Sequence, residues 1–243
     1  LKLAKQLLEN PGLAARITHV IGRPIEKGFA MLPADWNDKI GGITTTALTR
    51  AVHTAVSTME TEARWRPPAN LFHRAAVAVT GGVGGFFGFT ALAVELPISA
   101  TLMLRSIADV ARSQGETVTD GATKAACIEV FALGGPGKSD DSSEAGYFAV
   151  RAALASSVAR AAEFIAQKGL AEEGAPALAR LILLVAQRFS MQVSQKAAAQ
   201  LIPAVGAAGG ALINTIFIDH FQDMAKGHFT VRRLERKYGQ DAV

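Results

Sequence analysis

Two long runs without a charged residue constrain this chain more than any other feature. Residues 75–94 read AAVAVTGGVGGFFGFTALAV, and residues 197–218 read AAAQLIPAVGAAGGALINTIFI. Each reaches the roughly 20 residues that a helix needs to cross the hydrocarbon core of a bilayer. Length therefore permits a membrane span. Gly and Ala crowd both runs at the expense of the Leu and Phe that would drive insertion, so the composition favours close helix contact over transfer into lipid. The glycines fall four apart, Gly81 with Gly85, Gly84 with Gly88 and Gly206 with Gly210, which sets bare backbone on one helical face. The expectation is a buried central hairpin, with a transmembrane pair as the other reading.

The remaining segments carry helical spacing. Between Trp36 and Arg64, Ile40, Ile43, Ala47, Ala51, Ala55 and Met59 recur at three- and four-residue steps and form one apolar stripe. Arg66-Pro67-Pro68 stops that helix. Pro97 is placed in the first turn of a new helix that ends near Gly115. A helix over 120–133 ends at GGPG, and the loop 134–144 is expected to be exposed between two halves. Further helices are expected over 145–168, 176–201, 204–226 and 228–238, with Gly169, Gly227 and Gly239 as stops. At 243 residues, with 49% hydrophobic and 19% charged, the chain can bury one sizeable core. The predicted fold is all-α, a compact helical bundle with two central Gly-rich apolar helices surrounded by amphipathic ones. Residues 1–243 form a single domain in this reading, with 1–70 the less distinct part.

A mean hydropathy of +0.23 lies between ordinary globular and polytopic membrane proteins. The net charge of +4 comes from 25 basic and 21 acidic residues, and basic residues gather beside the uncharged runs. Arg64, Arg66 and Arg74 precede the first run, and Arg232, Arg233, Arg236 and Lys237 follow the second. That placement suits an anionic membrane surface. Arg64, Arg66, Arg74, Arg232 and Arg233, with Phe86 and Phe87, are the expected membrane or lipid contacts. Nucleic acid is not an expected partner, because no basic run is interleaved with stacking aromatics and only two Trp and two Tyr occur. The one cysteine, Cys127, rules out an internal disulfide and a multi-Cys zinc site. The chain opens at Leu1, with room for a native start upstream, and LKLAKQLLEN has no apolar core long enough for a signal peptide. A cytoplasmic, membrane-associated location is expected.

Ala132 to Ser139, ALGGPGKS, matches a loose phosphate-loop pattern with Ala in place of the first Gly. A nucleotide site would need a strand before it and a helix starting at Lys138. ATKAACIEVFAL reads as a helix instead, and Asp140 and Asp141 put negative charge where phosphates would sit. The polar candidates on or near the uncharged runs are Glu95, Arg105, Asp109, Asn214, Asp219 and Asp223. Arg105 and Asp109 share a helix face, as do Asp219 and Asp223. Carboxylates meeting His220 or His228 would resemble a helical-bundle metal site, yet the Glu-x-x-His pairs of such sites are missing. The structural alternative pairs Arg105 with Asp109 and gives Asn214 a buried partner. Cys127 reads as a small buried residue. With no Gly-x-Ser-x-Gly, His-Glu-x-x-His or dinucleotide fingerprint, no catalytic residue, metal or cofactor is assigned.

Glu95-Leu96-Pro97-Ile98 through Arg105-Ser106-Ile107-Ala108-Asp109-Val110-Ala111, closing in Gly115-Glu116, resembles the EcsC protein family. So do Phe131 to Gly135, Tyr147 to Arg151 and, most specifically, Lys196 to Gly239 with IPAVGAAGGALIN and FIDHFQDMAKGHFTVRRLERKYG. The resemblance is distinct from about Ala75 onward. It implies a bacterial protein, an ABC transporter as a partner and a helix-ending loop at 132–139, and it names no reaction. The expected function is a peripheral or amphitropic membrane protein that binds a lipid or apolar ligand, or assists a transporter, without catalysis. Two alternatives are a metal-dependent helical hydrolase using Glu95, Asp109, Asp219 and Asp223, and a scaffold subunit of a membrane complex.

Overall fold

The computed structural model describes residues 1–8, 12–21, 25–59, 88–135, 143–168, 176–202 and 206–243. Among the described residues the fold is all-α, with no strand. The helices are α1 (Lys2–Leu8), α2 (Leu13–Ile21), α3 (Glu26–Phe29), α4 (Trp36–Met59), α5 (Gly88–Ser113), α6 (Gly121–Glu129), α7 (Ser143–Lys168), α8 (Pro176–Leu201) and α9 (Gly206–Tyr238). They pack as one compact bundle. In α4 the buried stripe is Trp36, Ile40, Thr44, Ala47, Leu48, Ala51, Val52 and Ala55, close to the predicted register, with Ile43 at its margin.

Pro97 lies inside α5 and does not begin a new helix. Its missing N–H deprives one carbonyl in the preceding turn, a loss the packed helix absorbs, while nearby Ser99 and Thr101 donate to the Leu96 and Pro97 carbonyls. The predicted end near Gly115 holds. Gly115 takes φ +82, its N–H reaches the Arg112 carbonyl and the Glu116 N–H reaches the Ala111 carbonyl, the paired bonds of a Schellman cap. Gly227, predicted as a stop, sits within α9. A Cβ there would fall under 3.0 Å from Leu8, so this glycine admits α1 against α9 instead of ending the helix.

The second uncharged run is not one rod. Leu201 ends α8 and Gly206 starts α9, so the run is divided between two helices. Among the described residues, no helix is long and apolar enough to cross a membrane. Residues 75–87 of the first run lie outside the described residues, as do Gly81, Gly84, Gly85, Arg64, Arg66, Arg74, Phe86 and Phe87. Of the predicted loop 134–144, Gly134 and Gly135 are described, 136–142 are not, and Ser143 already belongs to α7.

The middle of the described core is aromatic. Phe131, Phe189, Phe217 and Phe221 are fully buried, with ring centroids 4.9–5.9 Å apart where α8, α9 and the 3-10 turn Val130–Ala132 converge. Edge-on pairs of this kind add about 0.5–1.5 kcal/mol each beyond area burial. Helix α6 is submerged almost entirely, including Lys124 and Glu129. The phosphate-loop pattern thus follows a helix and a 3-10 turn, not the strand it would require.

Candidate functional site

Between Arg74 and Arg105, Glu95 is the one charged residue, and between Arg188 and Asp219 it is Lys196. The fold brings these two together. Lys196 Nζ lies 2.7 and 2.9 Å from the carboxylate oxygens of Glu95, with Lys196 fully buried and Glu95 nearly so. Asn214 Nδ2 donates to Glu95 Oε1 at 3.3 Å, and the ammonium rests 5.2 Å from the centroid of Phe217. Three helices, α5, α8 and α9, therefore meet at one neutralised charge pair. Chemically this trio can hold helices in register; its charges are spent on each other, and removing one would strand the other at a cost of about 3–5 kcal/mol.

Helix α9 continues the polar contacts along α5. Gln222 donates to Ser106 Oγ at 2.8 Å, and Arg232 meets Glu116 at 3.0 Å, joined there by Arg236. Since 95, 106 and 116 pair with 214, 222 and 232 in rising order, α5 and α9 run parallel. Burial alone would raise Glu116, but Arg232 and Arg236 outweigh it and hold its carboxyl below the usual range. Arg232 is accordingly a structural ion-pair partner, while its neighbour Arg233 is exposed.

On another face of α9, His228 is fully buried with Nδ1 3.1 Å from the Tyr147 hydroxyl and Nε2 3.8 Å from Glu129 Oε2. Burial lifts the Tyr147 hydroxyl pKa and, reinforced by Arg151 and Arg232, holds His228 well below 6.5. We assign Tyr147 as donor to Nδ1, which leaves the ring proton on Nε2, facing Glu129. The Glu129 carboxyl is pushed up to about 7 by burial, against the pull of Arg151 and Arg232. Arg151 closes the group with a two-bond grip on Glu235 at 2.7 and 3.0 Å.

The predicted hydrolytic carboxylates do not converge. Glu95 is held by Lys196, Asp109 accepts from Arg112 at 2.7 Å, and Asp223 accepts from Arg16 at 3.2 Å and Lys226 at 3.5 Å. Asp219 is half-buried one turn before Asp223, and Arg105 is half-buried on α5. Among the described residues no group of three His, Cys, Asp or Glu could hold a metal ion. His220 is buried against Gly134 and Phe221 with neither ring nitrogen hydrogen-bonded among the described residues, and burial, aided by Arg16, holds it down at about 4. Cys127 is buried as predicted, its thiol pushed up to about 12 by that burial. Of the glycines proposed for close packing, Gly210 is buried, and for Gly88 and Gly206 only the helical backbone is described.

Sequence reasoning missed Lys196, Glu129, Tyr147, Arg151 and Glu235. For Lys196 a signal existed: two solitary charges of opposite sign in apolar surroundings must each find a counter-charge, and each is the obvious partner of the other. The Tyr147, His228 and Glu129 contacts join residues up to 99 positions apart and left no local mark.

Curated proteins and solved structures give no match to this chain. The profile of the EcsC protein family matches residues 2–234, so the match takes in the N-terminal helices that the sequence marked less distinctly. With nearly all of its length matched, the chain belongs to the EcsC protein family.

Proposed function

We propose that this protein is a cytoplasmic, peripheral membrane protein that binds a lipid or apolar ligand beside a membrane transporter and catalyses no reaction. The observation that carries this reading is a set of large apolar side chains left exposed on α5 and α9. Val94 is 69% exposed, Ile98 49% and Leu212 46%, each within three residues in sequence of Glu95 or Asn214, which meet between the two helices. Val94 and Ile98 stand four apart on one face of α5, and Leu212 is two residues before Asn214 on α9. Side chains of this size left in water on both partners of one crossing favour an apolar contact outside the molecule. Glu95, the carboxylate next to Val94, is already held by Lys196, which favours binding over chemistry as the role of this end.

Sedimentation with vesicles tests this. The protein is expected to pellet with vesicles of phosphatidylglycerol and phosphatidylcholine, and a Val94→Ser/Ile98→Ser/Leu212→Ser variant with unchanged circular dichroism and Tm is expected to stay in the supernatant. Equal sedimentation of both proteins, or of neither, would remove the reading.

A further inference from the structure

A groove lies between α7 and the start of α8. Its volume is about 750 Å³, and it is lined by Ser157 and Arg160 of α7 and by Pro176, Arg180, Leu183 and Leu184 of α8. The volume is within the range of about 300–1,000 Å³ that small-molecule sites occupy. Its described lining contains two guanidinium groups and no carboxylate.

Three features point to a negatively charged occupant. First, two guanidinium groups line one groove, and neither Arg160 nor Arg180 meets a carboxylate among the described residues. The nearest carboxylate on α7, Glu163, lies one turn beyond Arg160 and accepts instead from Gln167 at 3.1 Å. Second, Pro176 lines the groove and opens α8, so the groove lies at the positive dipole end of a 26-residue helix. Third, Ser157 is buried to 9% exposure, lines the groove, and has no hydrogen-bond partner among the described residues, although a helix interior would let it bond the carbonyl four residues back.

The other half of the groove is apolar. Leu183 and Leu184 follow Arg180 by three and four residues, one turn further along α8, and Leu183 remains 49% exposed. Charge at the helix start and leucine a turn later set a headgroup and an acyl chain in order along one line. A free phosphate would use the arginines and leave the leucines in water.

We infer that this groove seats an anionic phospholipid, with Arg160, Arg180 and Ser157 on the phosphate and Leu183 and Leu184 along the first part of an acyl chain. The inference rests on the membrane reading above and adds to it the headgroup class and the place of binding, on a different face of the bundle from Val94, Ile98 and Leu212.

The test uses the whole chain and three variants: Arg160→Glu/Arg180→Glu, Leu183→Ser, and Arg50→Glu/Arg188→Glu as a control with the same change in net charge at exposed positions outside the groove. The probes are phosphatidylglycerol vesicles, phosphatidylcholine vesicles, soluble dihexanoyl phosphatidylglycerol and inorganic phosphate. We expect Arg160→Glu/Arg180→Glu to weaken binding of the soluble phosphatidylglycerol at least tenfold while the control stays within about threefold, and Leu183→Ser to weaken the lipid while leaving any phosphate binding unchanged. Equal losses in the groove variant and the control would reduce the effect to net charge and overturn the site. Inorganic phosphate binding as tightly as the lipid would overturn the lipid assignment. Wild-type binding to vesicles that the groove variant retains and the Val94/Ile98/Leu212 variant loses would sink this site while the membrane reading stands; no vesicle binding by the wild type would sink both.

Discussion

Glu95 and Lys196 show how much can depend on two residues in this fold. Lys196→Met leaves a carboxylate buried against Asn214 alone, and a loss of about 3–5 kcal/mol is expected in urea unfolding. Replacing both partners, as in Glu95→Leu/Lys196→Met, is expected to recover most of that loss, because the stranded charge is gone. Additive losses in the double variant would show that the pair is not coupled. Glu129 gives a pH signature. Its carboxyl titrates at about 7 in the fold and at 4.5 as a free group, so between those values the folded state keeps a proton that the unfolded state has released. Its contribution to stability therefore falls as pH rises from 4.5 to about 7 and is level above that. His228 acts in the opposite sense, since its folded pKa is depressed below 6.5 and acid removes stability as pH drops from there. Glu129→Gln removes the first slope and keeps the second. Its stability relative to wild type is expected to improve by on the order of 3 kcal/mol between pH 4.5 and 7; parallel stability curves for the two proteins would rule out a buried, neutral Glu129.

At the scale of elements, two close helix crossings among the described residues fall at Gly28 and Gly121. A Cβ on Gly28 of α3 would lie under 3.0 Å from the Ala198 carbonyl oxygen of α8, and one on Gly121 of α6 equally close to that of Ala162 of α7. Gly41 of α4 has nothing within 4 Å of that position. Gly28→Ala and Gly121→Ala are each expected to cost about 1–3 kcal/mol, because backbone must move apart. Gly41→Ala is expected to gain about 0.5–1 kcal/mol by lowering the entropy lost on folding. Thermal unfolding of the three variants checks this, and equal shifts for all three would contradict the crossing geometry. The sequence could not rank these glycines. Gly28 and Gly121 have no glycine three or four residues away, so spacing gave no sign of them. Spacing shows which residues share a face, but the partner that faces them is a tertiary fact.

Across the whole molecule, helical spacing made α4 to α9 legible, though not the short α2 and α3, since a long helix must turn one side to the core whatever it packs against. Gly115 and Gly239 were legible as ends for the same local reason, being glycines at φ +82 and +88. The errors came where local rules meet packing. Pro97 and Gly227 look like breaks in isolation, yet α5 and α9 pass through them because neighbours on both sides outweigh about 3 kcal/mol for an interior proline and about 1 kcal/mol for an interior glycine. The candidate site was half legible. Glu95 and Asn214 stood out as polar groups in apolar surroundings, while Lys196, Tyr147 and Glu129 became partners only once helices distant in sequence were brought together. By itself, then, the sequence determined an all-helical chain, the positions of its apolar faces and the solitary charges that must be neutralised, because those follow from spacing and desolvation. Only the tertiary structure decided which charge meets which, that α5 and α9 run parallel, and that the second uncharged run is divided between α8 and α9, because each of these depends on contacts between segments that no local pattern specifies.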